Sequence, residues 1–207
     1  MPSVATSVLA EVLKEYKANY PDVTLRILEG YSGSLMDSLA SGKVDIAVVN
    51  NMGSLGGVAV IPLLHDHLVL VSRWQSGKRV PAEIPARKLT EQRLVLPSQR
   101  QGMRLLIDSM LAPSGIVLRP EVEIDALATV IELVRISNWV TILPVIAVKR
   151  AVDQKQLQSQ KIVQPAMPRE LVAVYNSQRQ PVLAAQLFIN VLKTHLLQML
   201  NPRERNS

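Results

Sequence analysis

Residues 23–49 hold the pattern that most restricts the fold. Val23, Leu25 and Ile27 alternate with Thr24 and Arg26, the period of a strand with one buried face. Gly30-Tyr31-Ser32-Gly33-Ser34 then reads as a turn. Leu35, Met36 and Leu39 space a short helix, and Gly42 lies just past its end, where a left-handed cap belongs. Residues 44–49 are a nearly continuous apolar run. That run predicts a strand covered on both faces, as in a parallel sheet. Strand, helix and strand with short turns make a βαβ unit, so an α/β fold is expected.

The alternation continues along the chain. Val4, Val8, Val12 and Tyr16, with Leu9 and Leu13 beside them, predict an amphipathic helix over 4–18 that ends before Pro21. Ser3 stands at its N-cap position. Residues 58–64 and 67–71 read as two strands. A looser stretch, 72–89, contains Gly77, Pro81 and Pro85 and marks the passage into a second lobe. That lobe is read as a strand at 94–96, a loop at 97–102 and a helix at 103–112. A strand around Val122 and Ile124, a helix at 127–138, a strand at 140–143 and a helix at 145–152 follow. Residues 171–175 form a returning strand, and Pro181 opens a last helix whose apolar stripe finds its nearest cover on the first lobe. The expected lobes are residues 1–72 plus 174–207, and residues 73–173. Two crossings, near 72–74 and 173–176, make a hinged clamp with a ligand cleft between its lobes.

Composition narrows the function. Hydrophobic residues make up 48% of the 207 and charged residues 19%, as in a folded globular protein. The chain holds no cysteine, which excludes a disulfide scaffold, a thiolate metal site and a cysteine nucleophile. Aromatic residues are only 3%, too few for single-stranded nucleic acid to be held by stacking. The net charge of +6 is uneven. Residues 1–72 carry four Lys/Arg against seven Asp/Glu, whereas residues 73–170 carry fifteen against nine. The basic second lobe points to an anionic ligand, with Arg100 or Arg104 among its contacts. No signal peptide or spanning helix is legible, so no membrane partner is expected and the cytoplasm is the expected location.

No catalytic constellation converges. The turn 30–34 has the strand-to-helix setting of a nucleophile elbow, but Ser34 stands where that motif needs its last glycine. Ser32 is read as an N-cap eased by glycines, or as part of an anion site built from free N–H groups at a helix start. Ser3, Ser32 and the pair Ser98/Gln99 all precede helices at carboxyl ends of strands, where open α/β sheets bind ligands. His65 and His67 form an H-x-H pair on opposite strand faces and lack a third metal ligand. No cofactor is expected. Asn50-Asn51 and Gly56-Gly57 read as a polar loop without the lysine of a P-loop. Trp139 is either a core residue or a cleft residue with its N–H toward a ligand.

Several blocks of the chain resemble the effector-binding domain of LysR-type transcriptional regulators. They are Pro2-Ser3-Val4, then residues 20–25 (YPDVTL), 29–35 (EGYSGSL) with Leu39, and 42–47 (GKVDIA). Residues 131–144, ending VTILP, and 179–192 continue the resemblance in the expected order. It implies two Rossmann-like lobes of the type II periplasmic-binding-protein kind. It also implies a small effector between the lobes and a homodimer or tetramer. Carried over residue by residue, it places effector contacts at Ser3, at Ser32 and in the loops 98–101 and 125–127; together with the reading of the residues themselves, the expected contacts are Ser3, Val4, Ser32, Gly33, Ser34, Ser98, Gln99, Arg100, Ala126 and Trp139. Trp139 stands where the family has a glycine-bearing turn. The family's winged helix-turn-helix and the first strand of its first lobe are not seen in these residues, so DNA binding is expected only through that N-terminal domain. The same fold also serves solute-binding proteins of transporters, which is the competing expectation.

Overall fold

Period-two and period-3.6 apolar patterns fill this chain, and the elements they form are short. The computed structural model describes every residue except 52, 54, 55, 78, 79, 180 and 201–207. The middle of the polar loop at 50–57 and the last residues of the first expected lobe fall partly outside the described set. In order, the elements are α1 (Pro2–Ala5), α2 (Leu9–Asn19), α3 (Ser32–Ala40), β1 (Ala47–Asn50), β2 (Val58–Arg73), β3 (Glu83–Pro85), β4 (Val95–Leu96) and α4 (Gly102–Leu111). Then come β5 (Val122–Glu123), α5 (Leu127–Ile136), β6 (Thr141–Pro144), α6 (Val145–Asp153), β7 (Leu157–Val163), β8 (Pro168–Asn176) and α7 (Leu183–Leu200).

The chain divides into two compact units, residues 1–65 with 170–207, and residues 66–169. The changeovers fall inside β2 and β8. The sequence reading placed them at 72/73 and 173/174. The two strands read at 58–64 and 67–71 are one long strand, because Asp66 continues the extended backbone instead of breaking it.

In the first unit, α2 and α7 pack together. Tyr16 is fully buried between them, its hydroxyl donating to the Ala184 carbonyl at 2.8 Å. Its ring meets Phe188 edge-on at 5.4 Å. The expected packing of the last helix on the first lobe is therefore what is found. Three local readings are corrected. The helix expected over 4–18 is two helices, interrupted at residues 6–8, and Ser3 lies inside α1 instead of capping it. The run 44–49 forms strand only from Ala47, and it pairs antiparallel with β8, Ala47 opposite Val174 and Asn50 opposite Leu171. Residues 23–30 lie outside regular secondary structure despite their alternation. A strand forms only against a partner, and the described residues supply none there.

In the second unit, β2 pairs antiparallel with β6 on one edge and β7 on the other, and β3 runs parallel to β7. The strand β7 was not anticipated: its sequence LQSQKIV shows too little alternation. Strands β4 and β5 are parallel, and Leu94 bridges Val140 in the same direction. Leu68 and Leu70 enter a core with Leu96, Ile107, Leu111 and Ile142. Val69 and Val71 enter a second core with Val130, Val134, Leu143 and Val148. Alternate residues of β2 thus feed opposite sheet faces.

This unit opens at Asp66 and closes at Arg169, and those two residues meet. The Arg169 guanidinium donates from Nη2 to Asp66 Oδ2 at 2.7 Å, with both side chains fully buried. Asp66 Oδ1 accepts the His67 backbone N–H at 2.7 Å. Burial lowers the Arg169 pKa, and the Asp66 charge opposes that shift.

Candidate functional site

Helix α3 begins where the chain leaves residues 23–30. Its first helical hydrogen bond runs from the Leu35 N–H to the Tyr31 carbonyl at 3.0 Å. The N–H groups of Ser32, Gly33 and Ser34 precede that bond and have no helical acceptor. Gly33 and Ser34 are exposed. The cap itself differs from expectation. Tyr31 holds the N-cap position and makes no side-chain cap. Ser32 is the first helical residue, and its hydroxyl oxygen accepts the Asn50 N–H at 3.2 Å. The Ser34 hydroxyl donates to the Tyr31 carbonyl at 3.0 Å. Gly30 permits this turn to close: a Cβ there would come within 2.7 Å of Ser34 Oγ.

Asn50 closes β1 at its carboxyl end, and its side chain is buried with Oδ1 lacking a partner among the described residues. A buried amide oxygen without a donor is costly. The sequence reading took Asn50 for loop; its place at the end of an apolar strand was the available signal.

In the second unit, Ser98 follows β4 and Asp125 follows β5, both at carboxyl ends of parallel strands. The Asp125 carboxylate accepts the Ser98 N–H at 2.9 Å and the Ser98 hydroxyl at 3.1 Å. Donation from the Ser98 backbone is the main reason its pKa lies below the usual carboxylate range. Ala126 is the N-cap of α5, beside Asp125. Gln99 and Arg100 are exposed in the loop before α4. Ser98, Asp125 and Ala126 are thus brought together, and a carboxylate already occupies the donors that an anion would need.

Part of the positive charge of this unit is already ion-paired. Arg104 is buried, with its Nε on the Asp108 carboxylate and its Nη1 3.2 Å from Glu123. Arg93, Arg135 and Lys149 pair with Glu121, Glu132 and Asp153. Arg104 is therefore a structural cation, which corrects its expected role as an anion contact.

Trp139 sits elsewhere. It precedes β6, at the amino end of the strands whose carboxyl ends carry Ser98 and Asp125. Its indole N–H donates to Glu121 at 2.8 Å, and Arg93 lies 5.2 Å over its ring. It is neither fully buried nor beside the Ser98 loop. Ser3 and Val4 are both buried in α1, a helix of four residues.

The Glu121 cluster gives a pH prediction. Hydrogen bonds from Arg93 and then Trp139 hold the Glu121 carboxyl down to about 2, from an ordinary 4.5. A folded-state pKa below the unfolded one adds stability above the unfolded value, and that stability is lost as pH falls through the folded one. Thermal melts of the protein and its Glu121→Gln variant should differ by a constant margin from pH 7 to 5. The margin should close between pH 4.5 and 2.

The LysR substrate binding domain model matches residues 1–197. The chain belongs to this LysR family. An uncharacterised HTH-type regulator of Shigella flexneri, YfeR, is 25% identical over 191 residues, covering 92% of this chain and 61% of that protein. A probable hydrogen peroxide-inducible genes activator of Streptomyces viridosporus is 29% identical over 150 residues, 72% of this chain and 48% of the relative. The chain thus spans about half to three-fifths of the curated LysR relatives it matches. Among solved structures, the Synechocystis PCC6803 CcmR regulatory domain in complex with 2-PG superposes with a TM-score of 0.80 at 14% identity, covering 93% of this chain and 92% of that one. The effector-binding domain of QuiR in complex with shikimate gives 0.73 at 18%, covering 90% and 89%. The fold is that of a LysR regulatory domain, of the type II periplasmic-binding-protein kind.

Proposed function

We propose that this chain is the effector-sensing part of a LysR-type transcriptional regulator and binds a small organic anion at the start of α3. The observation that carries the reading is local. Three backbone N–H groups without helical acceptors, the positive end of a helix, and the buried Asn50 amide oxygen lie together at the carboxyl end of β1. The acidic group of the effector takes the N–H groups of Ser32, Gly33 and Ser34, and a hydroxyl on it donates to Asn50. For the second unit taken by itself, Ser98, Gln99, Arg100 and Ala126 are the proposed ligand-facing residues. There the Asp125 carboxylate favours a hydroxyl or ammonium over a second negative charge. Ser3, Val4 and Trp139 take no part in this reading.

No reaction is assigned, because no acid, base and nucleophile converge among the described residues. A solute-binding role is the less favoured reading, since the relatives named above are regulators. Some of those relatives are named for hydrogen peroxide induction. These 207 residues contain no cysteine, so a thiol switch within them is excluded. Assembly as a dimer or tetramer, and DNA binding through a separate N-terminal domain, belong to the same proposal. So does a cytoplasmic location; no helix among the described residues is long and apolar enough to cross a membrane.

Calorimetric titration with small hydroxylated carboxylates and phosphate esters tests the proposal. Saturable binding of such anions, absent with their neutral amides and alcohols, is expected. Binding of only neutral or cationic compounds would contradict it.

A further inference from the structure

The residue that follows Asn50 is held twice by one glutamate. Asn51 donates its backbone N–H to the Glu170 carbonyl at 2.9 Å and its side-chain Nδ2–H to Glu170 Oε2 at 2.7 Å. Asn51 Oδ1 accepts the Gly53 N–H at 3.3 Å, an Asx turn that opens the loop beyond β1. Asn50 is the last residue of a four-residue strand. Its own N–H is held by Ser32, so the anchoring of Asn51 sets where the buried Asn50 amide lies. The other Glu170 oxygen faces a histidine. His65 Nε2 lies 4.0 Å from Oε1, with the imidazole 84% and the carboxylate 28% exposed. Among the described residues neither forms another ion pair. Asp66 and Arg169, their neighbours in sequence, are buried against each other, and the His67 backbone N–H is held by Asp66. Residues 50, 51, 65 and 170 all belong to the first unit. A histidine ordinarily changes charge between about pH 5 and 8. Neutral, at this distance, the ring makes no hydrogen bond with Oε1. Protonated, it is drawn to the carboxylate that holds Asn51.

We propose that Glu170 is a positioning residue for the anion site at the start of α3, and that His65 makes its hold on Asn50 depend on protons. This rests on the site reading given above and adds its regulation. Protonation of His65 fixes the Glu170 carboxylate, and the carboxylate fixes Asn51. The Asn50 amide is then held where the hydroxyl of the anion donates to it. Binding of a hydroxylated anion therefore tightens as pH falls through the imidazole range, and proton uptake and anion uptake favour each other. The pair is exposed, so the effect is modest, roughly two- to fivefold in Kd.

The test follows the side-chain amide signals of Asn50 and Asn51 in the full chain between about pH 5.5 and 7.5. It is run without ligand and then with lactate, whose carboxylate stays ionised over that range. Without ligand, both amides should shift along one titration curve shared with the His65 ring. Glu170→Gln still accepts from Asn51 but lacks the charge that draws the imidazolium, and should flatten that curve. An anchor with a structural role only would show no such curve to flatten. His65→Lys carries a fixed charge and should give lactate its tighter, acidic-range affinity at both pH values. His65→Gln should give the weaker affinity at both. Amides that shift alike in Glu170→Gln and the unsubstituted chain, or in neither, would overturn the proposal. The site itself is tested separately. If the ligand-free curves are as stated but lactate leaves the Ser32, Gly33 and Ser34 amides unmoved, the anion site is refuted and the coupling with it. Lactate that moves those amides with equal affinity at both pH values refutes the coupling alone.

Discussion

Arg169→Met should destabilise the second unit by about 3–5 kcal/mol, because it strands the Asp66 carboxylate inside the fold. Both side chains of the pair are fully buried, and the guanidinium approaches Asp66 Oδ2 at 2.7 Å. Asp66 also accepts the His67 N–H, so its position is fixed and it cannot turn to water. A buried unpaired charge costs far more than the pair contributes. The double variant Asp66→Leu with Arg169→Met should therefore recover most of the loss. Denaturant unfolding of the two single variants and the double completes the cycle. Additive losses would mean that the pair contributes no coupling. The effect should appear in amides of residues 68–71 and 141–143, since β2 and β6 pair there.

The second large effect concerns Ser32 and is read in affinity. Losing a hydrogen bond to a charged ligand costs about 1.5–3 kcal/mol, roughly ten- to more than a hundred-fold in Kd. Ser32→Ala also removes the acceptor of the Asn50 N–H, so a stability loss on the order of 1 kcal/mol should accompany it. Stability alone cannot separate the two roles. Ser32→Thr can, because its hydroxyl still accepts from Asn50 while its extra methyl crowds the start of α3. The proposed site predicts near-normal stability with weakened anion binding for Ser32→Thr. If the bond to Asn50 is the only role of Ser32, affinity should be normal in that variant.

Much of this was legible in the residues. The helix-forming stripes at 102–111, 127–136 and 183–200 carry their own period, and their positions agree with the sequence to within a few residues. The last helix was correctly assigned to the first unit, because an apolar stripe without local cover must find cover elsewhere. What failed depends on distant partners. Residues 23–28 have a strand's alternation but pair with no strand among the described residues, and periodicity alone does not supply a pairing partner. The antiparallel pairing of β1 with β8 joins residues more than a hundred apart in sequence. The start of α3 was read as a candidate site, with Ser32 in the capping role because a Ser before a helix commonly has it. Its actual partner, Asn50, lies 18 residues on. Trp139 was read as a possible ligand residue from its type alone. Its place at the amino end of β6, held by Glu121 and Arg93, required the strand directions. Arg104 likewise counted as free positive charge until its carboxylate partners were seen.

The most direct measurement is a titration of the isotopically labelled chain with the tightest-binding organic anion, followed through its backbone amide chemical shifts. The account predicts that the amides of Ser32, Gly33 and Ser34 move most in the first unit, with the Asn50 side-chain amide moving in step at the same saturation. Saturable anion binding that leaves these four groups unmoved would contradict it.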